Sequence, residues 1–244
     1  MRPSETTLLI LGIETSTQRA GVALSRDGRL LASAALGVGR GHAEFTSPAI
    51  DFLLDQVQIE VSELDAIAVG IGPGLFTGMR VGVITGELMA YALEIPVVGV
   101  SSLDLIARQA GVAPDPVVAV VDARRNEVFW ACYQVDESGP ARLGEMSLSS
   151  PAECARRARE LVDSPIFAGN GAIEHRDEFV AEGVSRFAPP ATAFPMAETL
   201  TEEAATILEG GRQAPAKPIY LREPDAEINW IRAERIGAVT EAAS

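Results

Sequence analysis

Two aliphatic runs in this chain each end at a carboxylate, and a similar succession of segments follows each. Residues 8–13 lead to Glu14, and residues 116–121 (PVVAVV) lead to Asp122. Short runs without polar interruption suit strands buried on both faces. After Glu14 the pattern reads as a hairpin of strands 20–25 and 29–35 about Asp27-Gly28, a strong hairpin signal. A helix over 43–57, a strand over 65–70, a helix to 93, a strand over 95–100 and a helix over 102–110 follow. After Asp122 the pattern predicts an alternating strand at 127–134, paired with 141–148 across the turn at 136–139. A helix over 151–161 and a strand over 165–169 come next. The shared order implies a duplicated α/β fold of two lobes, each a mixed sheet flanked by helices. The boundaries are 1–110 for the first lobe, 111–222 for a smaller second lobe, and 223–244 for a charged tail. A last helix, 197–208, stops at Gly210-Gly211 and is a candidate to return to the first lobe.

Charge narrows the function. Lys plus Arg number 20 against 34 Asp plus Glu, a net charge of −14. Such a surface repels a phosphate backbone, which argues against direct tRNA or DNA binding but not against membership of a nucleic-acid complex. Lys217 is the sole lysine, so lysine chemistry has one candidate. Two cysteines without a C-x-x-C spacing exclude a disulfide scaffold and point to a reducing compartment. No run approaches the ~20 apolar residues of a membrane helix, and the first apolar run lacks the cationic start of a secretory signal. The expected location is the cytoplasm, away from membranes.

Several motifs have two readings. Glu14, Thr15 and Ser16, at a strand end before a hairpin, are placed to meet phosphates and magnesium. They equally suit a turn whose hydroxyls satisfy backbone groups. Asp122 is the matching acid of the second half, followed by Arg124 and Arg125 where small residues would admit a triphosphate. The glycine-rich stretch 70–78 (GIGPGLFTG) lacks the lysine of a P-loop, and Leu75 occupies the third glycine of a dinucleotide fingerprint. It reads as a tight strand-to-helix connection with Thr77 as N-cap. His42 and His175 are the only histidines, and neither has a second at metal-ligand spacing. His42, beside Gly41, reads as a solvated loop residue.

Helix faces carry the strongest physical signal. Between 44 and 57, Phe45, Ala49, Ile50, Phe52, Leu53, Leu54 and Val57 spread over roughly 200° of the wheel, whereas a helix on one sheet needs ~100°. Between 79 and 93 the only charges are Arg80 and Glu87, nearly on one line. Val81, Val83, Ile84, Leu88, Met89, Tyr91 and Leu93 surround them. Helices this apolar are buried on more than one side, and the second cover is either the other lobe or another chain.

The runs LLILGIETST, GHAEFTSPAIDFLLD, DAIAVGIGPGLFTGMRVG, IPVVGVSSLD, VDARRNEVF and PIYLR resemble the TsaB (YeaZ) family. That resemblance implies an actin-like ATPase fold and a non-catalytic dimerisation subunit of the tRNA threonylcarbamoyladenosine machinery. It implies a partner, TsaD, which transfers the threonylcarbamoyl group to N6 of adenosine 37 in ANN-decoding tRNAs, and a further subunit, TsaE. Nucleotide, magnesium and metal are then expected on the partners, with no cofactor on this chain and tRNA met only through the complex. TsaD-like members carry a His-x-x-x-His motif. Here His42 matches one position, but residue 46 is Thr and residue 38 is Val. Most relatives have Asp where Glu14 stands, so Glu14, Thr15, Ser16 and Asp122 are at most a vestigial phosphate site.

The resemblance places the heterodimer face on the first two helices. The expected contacts are Phe45, Ala49, Ile50, Phe52, Leu53, Val57, Val83, Ile84 and Tyr91, with Arg80 and Glu87 as polar contacts. Alone, such a patch can find a self-complementary mate in a homodimer. The alternatives are a small-molecule kinase or ATPase of the same fold, which needs nucleotide binding, and a metal-dependent peptidase, which needs ligands that two distant histidines hardly supply.

Overall fold

The computed structural model describes residues 7–37, 41–111, 115–212 and 214–222; the tail at 223–244 lies outside them. Every residue of Leu9–Glu14 (β1) is buried, which is why the run shows no alternation. It pairs antiparallel with Ala20–Arg26 (β2), which turns through Asp27 and Gly28 into Arg29–Leu36 (β3). Both turn residues take positive φ, 53° and 72°, as two-residue hairpins require. On the other side of β1 lie Ala66–Gly70 (β4) and then Val97–Val100 (β5), both parallel. The sheet order is β3-β2-β1-β4-β5. His42–Val57 (α1) and Phe76–Leu93 (α2) cover one face, closing a core of Leu11, Ile13, Leu53, Ile67, Val69 and Val83.

After Ser102–Ala110 (α3) the order recurs. Val117–Asp122 (β6) pairs antiparallel with Val128–Asp136 (β7). The third-strand position is split between Gly139–Arg142 (β8) and Ser147–Ser149 (β9), both paired with β7. The single strand expected at 141–148 is therefore two. Gly144, at φ 99°, lies in the break between them. Ile166–Ala168 (β10) runs parallel to β6, and an isolated parallel bridge between Phe167 and Phe187 stands where a fifth strand would be. Pro151–Leu161 (α4) starts as its sequence predicts, with Ser150 Oγ accepting from Glu153 N and Pro at the first position. Two short helices, Asn170–Glu174 (α5) and Arg176–Ala181 (α6), escaped the sequence reading because neither is long enough to show a period. The result is the duplicated, two-lobed actin-like architecture.

The lobes trade helices. α3 packs Leu103, Ile106 and Ala107 onto the second sheet. Ala197–Glu209 (α7) crosses back to the open face of the first, seating Leu200 and Ala204 against Ile10, Ala66 and Val98. Gly12 permits that approach, since a Cβ there would stand 2.7 Å from Thr201 Cγ2. Arg108 and Glu203, 3.2 Å apart, join the two exchanged helices. Residues 214–222 then strap the lobes together. Ala214 O accepts from Gly99 N (2.8 Å), Ile219 N donates to Ile71 O (2.8 Å), and Arg222 reaches Ala123 O (2.7 Å) and Glu127 in the second lobe.

Candidate functional site

The two lobes face each other across a cleft whose walls carry Glu14 at the end of β1 and Asp122 at the end of β6. Glu14 ends β1 fully buried. Its Oε1 accepts from Ser16 N (2.7 Å) and from the Ser16 hydroxyl, which lies 2.6 Å from Ser102 Oγ at the start of α3. Glu14 Oε2 has no hydrogen-bond partner and faces Gly70, where a Cβ would come within 1.9 Å of it. Burial pushes this carboxyl up to about 7, with the Ser16 hydrogen bonds pulling the other way. Thr15 donates to Gly78 O (2.8 Å), and Leu75 N donates to Ser16 O (2.7 Å). The glycine-rich loop is thus stitched to the 14–17 turn. Its glycines admit that turn: Cβ atoms at Gly74 and Gly78 would lie 2.1 Å from Ser16 O and 2.2 Å from Thr15 O. The structure corrects the cap. α2 begins at Phe76 after Leu75, with no side-chain hydrogen bond, so Thr77 is not its N-cap.

Asp122 stands on the opposite wall. Its Oδ1 accepts from Arg124 N (3.0 Å) and lies 3.3 Å from His175 Nε2, while its own N–H donates to Asn170 Oδ1 (3.3 Å). Arg124, Arg125 and Asn126 all take left-handed φ, 62°, 58° and 58°. Between Ser16–Gln18 and Asp122, Arg124 and Asn170 the space narrows to a cavity of about 10 Å³, room for about one water, while a pocket of about 380 Å³ opens beside it between Leu75, Phe76, Asp122, Arg124 and Tyr220. Glu14 is fully buried, and arginines stand in the matching loop of the second lobe. The histidines have local tasks. His42 is the first residue of α1, buried, with Nε2 2.9 Å from Thr17 O, so it is not the solvated loop residue its neighbours implied. His175 lies between Asp122 and Glu178. Among the described residues no group of three or more His, Cys, Asp or Glu could hold a metal ion.

The outer face of α1 and α2 is different. Phe52 is 57% exposed, Ile84 52%, Leu88 63% and Tyr91 86%. Arg80 and Glu87 are exposed beside them. Neither the second lobe nor any other described part of the chain covers them. Four expected contacts are corrected: Ala49, Ile50, Leu53 and Val83 lie in the first lobe's own core, 7% exposed or less. Phe45 and Val57 are half-buried against that core. Leu88 belongs to the face although it was absent from the expected contacts. A groove of about 920 Å³ runs along Ile84, Leu88, Tyr91 and Ile95. Arg80 is held at one end: its guanidinium lies 3.8 Å over the Phe76 ring, and Nε donates to Tyr220 Oη (3.3 Å).

The chain is similar to the tRNA threonylcarbamoyladenosine biosynthesis protein TsaB of Escherichia coli. Identity is 31% over 219 residues, covering 87% of this chain and 94% of that one. It belongs to the TsaB/YeaZ family. The solved structure of YeaZ from Pseudomonas aeruginosa matches 88% of this chain and all of that one, at 31% identity and a TM-score of 0.75. The family pattern described as "TsaD: tRNA N6-adenosine threonylcarbamoyltransferase" matches residues 37–230. A protein of that name from Nitratidesulfovibrio vulgaris is 36% identical over 160 residues, but these cover 59% of this chain and only 44% of the transferase. The likeness to TsaB covers most of both chains, and the likeness to the transferase is partial. As a TsaB/YeaZ protein, the chain also shows no helix among the described residues long and apolar enough to cross a membrane.

Proposed function

We propose that this chain is a non-catalytic docking subunit in tRNA threonylcarbamoyladenosine biosynthesis. It binds the transferase TsaD through the outer face of α1 and α2, and TsaE joins the assembly. The complex transfers a threonylcarbamoyl group to N6 of adenosine 37 in ANN-decoding tRNAs, in the cytoplasm. This chain contributes surface and partner conformation rather than a reacting group. Nucleotide, magnesium and metal belong to the other subunits, and tRNA meets the chain only through them.

One observation carries this reading: Ile84, Leu88 and Tyr91 stand exposed on a single stripe of α2. A contiguous apolar stripe of this kind on a soluble lobe marks a protein contact. The narrow gap between Ser16 and Arg124 supports the same reading, because a kinase or ATPase of this fold needs room for phosphates there.

The test is co-elution of the full chain with TsaD, alongside Ile84→Glu. The variant keeps its circular dichroism spectrum, loses co-elution, and no longer supports tRNA modification in the reconstituted assay. Intact co-elution of the variant removes this face from the reading. Calorimetric binding of Mg-ATP to the isolated chain favours the enzyme instead.

A further inference from the structure

A short piece of chain joins the exposed side of α2 to the second lobe. Ala214 O accepts from Gly99 N (2.8 Å), Ala216 is buried in the first lobe's core, and Ile219 N donates to Ile71 O (2.8 Å). Pro215 and Pro218 fix their own φ, so 214–219 is a stiff strip laid on the first lobe. The next residues cross the seam. The Tyr220 ring stands 5.3 Å from that of Phe76, and its hydroxyl accepts from Arg80 Nε (3.3 Å). Leu221 packs against the second lobe's core, and Arg222 holds Ala123 O (2.7 Å) and the Glu127 carboxylate. Two Cα–Cα steps span at most about 7 Å, so Tyr220 and Arg222 have no slack between them.

Arg222 grips the loop between β6 and β7 at both ends. Ala123 N donates to Glu127 O (2.9 Å) and Glu127 N to Arg124 O (3.1 Å). Between them Arg124, Arg125 and Asn126 hold φ at 62°, 58° and 58°. Residues other than glycine keep that conformation only where their surroundings impose it, and Arg222, bonded to both loop ends, helps impose it. The joint also has room to move. The pocket of about 380 Å³ lies between Phe76 and Met79 of α2, Arg124 and Phe129 of the second lobe, and residues 219–222. Close-packed interiors resist displacement, but a cavity here lets the strap shift without repacking either core.

Arg80 is the exposed end of this link. Its guanidinium rests 3.8 Å over the Phe76 ring and makes one hydrogen bond to the neutral Tyr220 hydroxyl. A carboxylate offered by a docked partner makes a charge-assisted bond, about twice as strong as a neutral one. It therefore competes with Tyr220 for the guanidinium.

We propose that Tyr220, Leu221 and Arg222 link Arg80 to the 123–127 loop, so that engagement of Arg80 by a partner's carboxylate loosens that loop and alters the surface the second lobe presents. The link itself is intramolecular; only its trigger rests on the reading of the α2 stripe as a docking face. A partner that distinguishes the two states of Arg80 shifts the balance between a gripped and a released loop.

The experiment is amide hydrogen exchange of the full chain, followed by NMR at Ala123 and Glu127. Arg80→Ala stands for a guanidinium drawn away, and Tyr220→Ala for a broken link. Each speeds exchange at both amides in the free chain by about fivefold or more. Leu88→Ala, on the same face but outside the groove that the strap lines, leaves them at the wild-type rate. Unchanged rates in Arg80→Ala and Tyr220→Ala overturn the link, and so does equal acceleration in Leu88→Ala. Added TsaD speeds the same amides in wild type and has no further effect on them in Tyr220→Ala. If TsaD binds and the wild-type loop stays protected, engagement of the face is not transmitted and the proposal falls. The two readings fail separately. If Ile84→Glu still binds TsaD while Arg80→Ala loosens the loop, the docking face falls and the link stands. If Ile84→Glu loses TsaD while Arg80→Ala leaves the loop protected, the docking face stands and the link falls.

Discussion

Gly86 of α2 lies against Val69 of β4, so that a Cβ on the glycine would stand 2.3 Å from Val69 Cγ1. One turn earlier, a Cβ on Gly82 would meet Thr15 Oγ1 at 2.4 Å, and a further turn back Gly78 crowds Thr15 O. α2 therefore approaches the sheet along a row of glycines at four-residue spacing. The inner side of the helix carries these glycines together with Met79, Val83 and Ala90, and Ile84, Leu88 and Tyr91 occupy the outer side. That arrangement makes Ile84, Leu88 and Tyr91 a surface.

Gly86→Ala tests the seating. In an exposed helix interior alanine gains about 1 kcal/mol over glycine. Here the added methyl strikes a fully buried β-branched residue with little room to move, and overpacking costs about 1–3 kcal/mol. The collision wins, for a net loss of about 1–2 kcal/mol, seen as a lower urea midpoint with unchanged slope. A stabilised variant would mean that α2 stands farther from the sheet.

Glu14 gives stability a pH dependence. Its folded value of about 7 lies above the ordinary 4.5, so between those values the folded chain holds a proton that the unfolded chain has released. Stability is then full below about 4.5, falls as pH rises through about 7, and is flat above. At about 1.4 kcal/mol per unit, the loss is on the order of 3 kcal/mol. Asp104 and Glu203, also raised by burial, add the same sign. The difference between wild type and Glu14→Gln isolates Glu14: urea titrations from pH 4.5 to 8 show the variant gaining on wild type as pH rises. Parallel curves would mean that another group carries the slope.

The sheets were legible because their signal is local. Strands such as β1 and β6 are apolar at every position and end at an acid, and the hairpin at Asp27-Gly28 announces itself. The outward excess of apolar residues on α2 was legible too, but its cause was not: Gly78, Gly82 and Gly86 acquire meaning only once Thr15 and Val69 are seen beneath them. On α1 the same excess misled, because Ala49, Ile50 and Leu53 are absorbed by the first lobe's core and only Phe52 stands well clear. The burial of the Glu14–Ser16 turn involves Ser16 meeting Ser102 across 86 positions, and no local pattern encodes that contact.

The two thiols should be silent in the native chain. Burial pushes Cys132 up to about 11 and raises Cys154 as well, the neighbouring Cys132 adding to it. The thiolate is the reactive form. An aromatic disulfide reagent at pH 8 labels neither cysteine under native conditions and both in denaturant. Rapid native labelling of either would show that the second lobe opens.

Separating core from face in α1 and α2 is the sharpest test of the docking surface. Ile50 and Leu53 are buried among Leu11, Val22 and Ile67, and truncating either to alanine leaves a cavity costing about 2–5 kcal/mol of stability. Leu88 and Tyr91 touch little of their own chain, so Leu88→Ala and Tyr91→Ala leave stability within about 0.5 kcal/mol. Their cost appears in partner affinity, at more than about 1 kcal/mol each if they lie at the centre of a buried contact. Urea unfolding and titration with TsaD, run on the same four variants, should sort them into opposite pairs. Ile50 and Leu53 variants weaken binding only as far as they unfold the chain, whereas Leu88 and Tyr91 variants bind poorly while fully folded. If all four fall together in both measurements, the stripe is an extension of the core and not a contact surface.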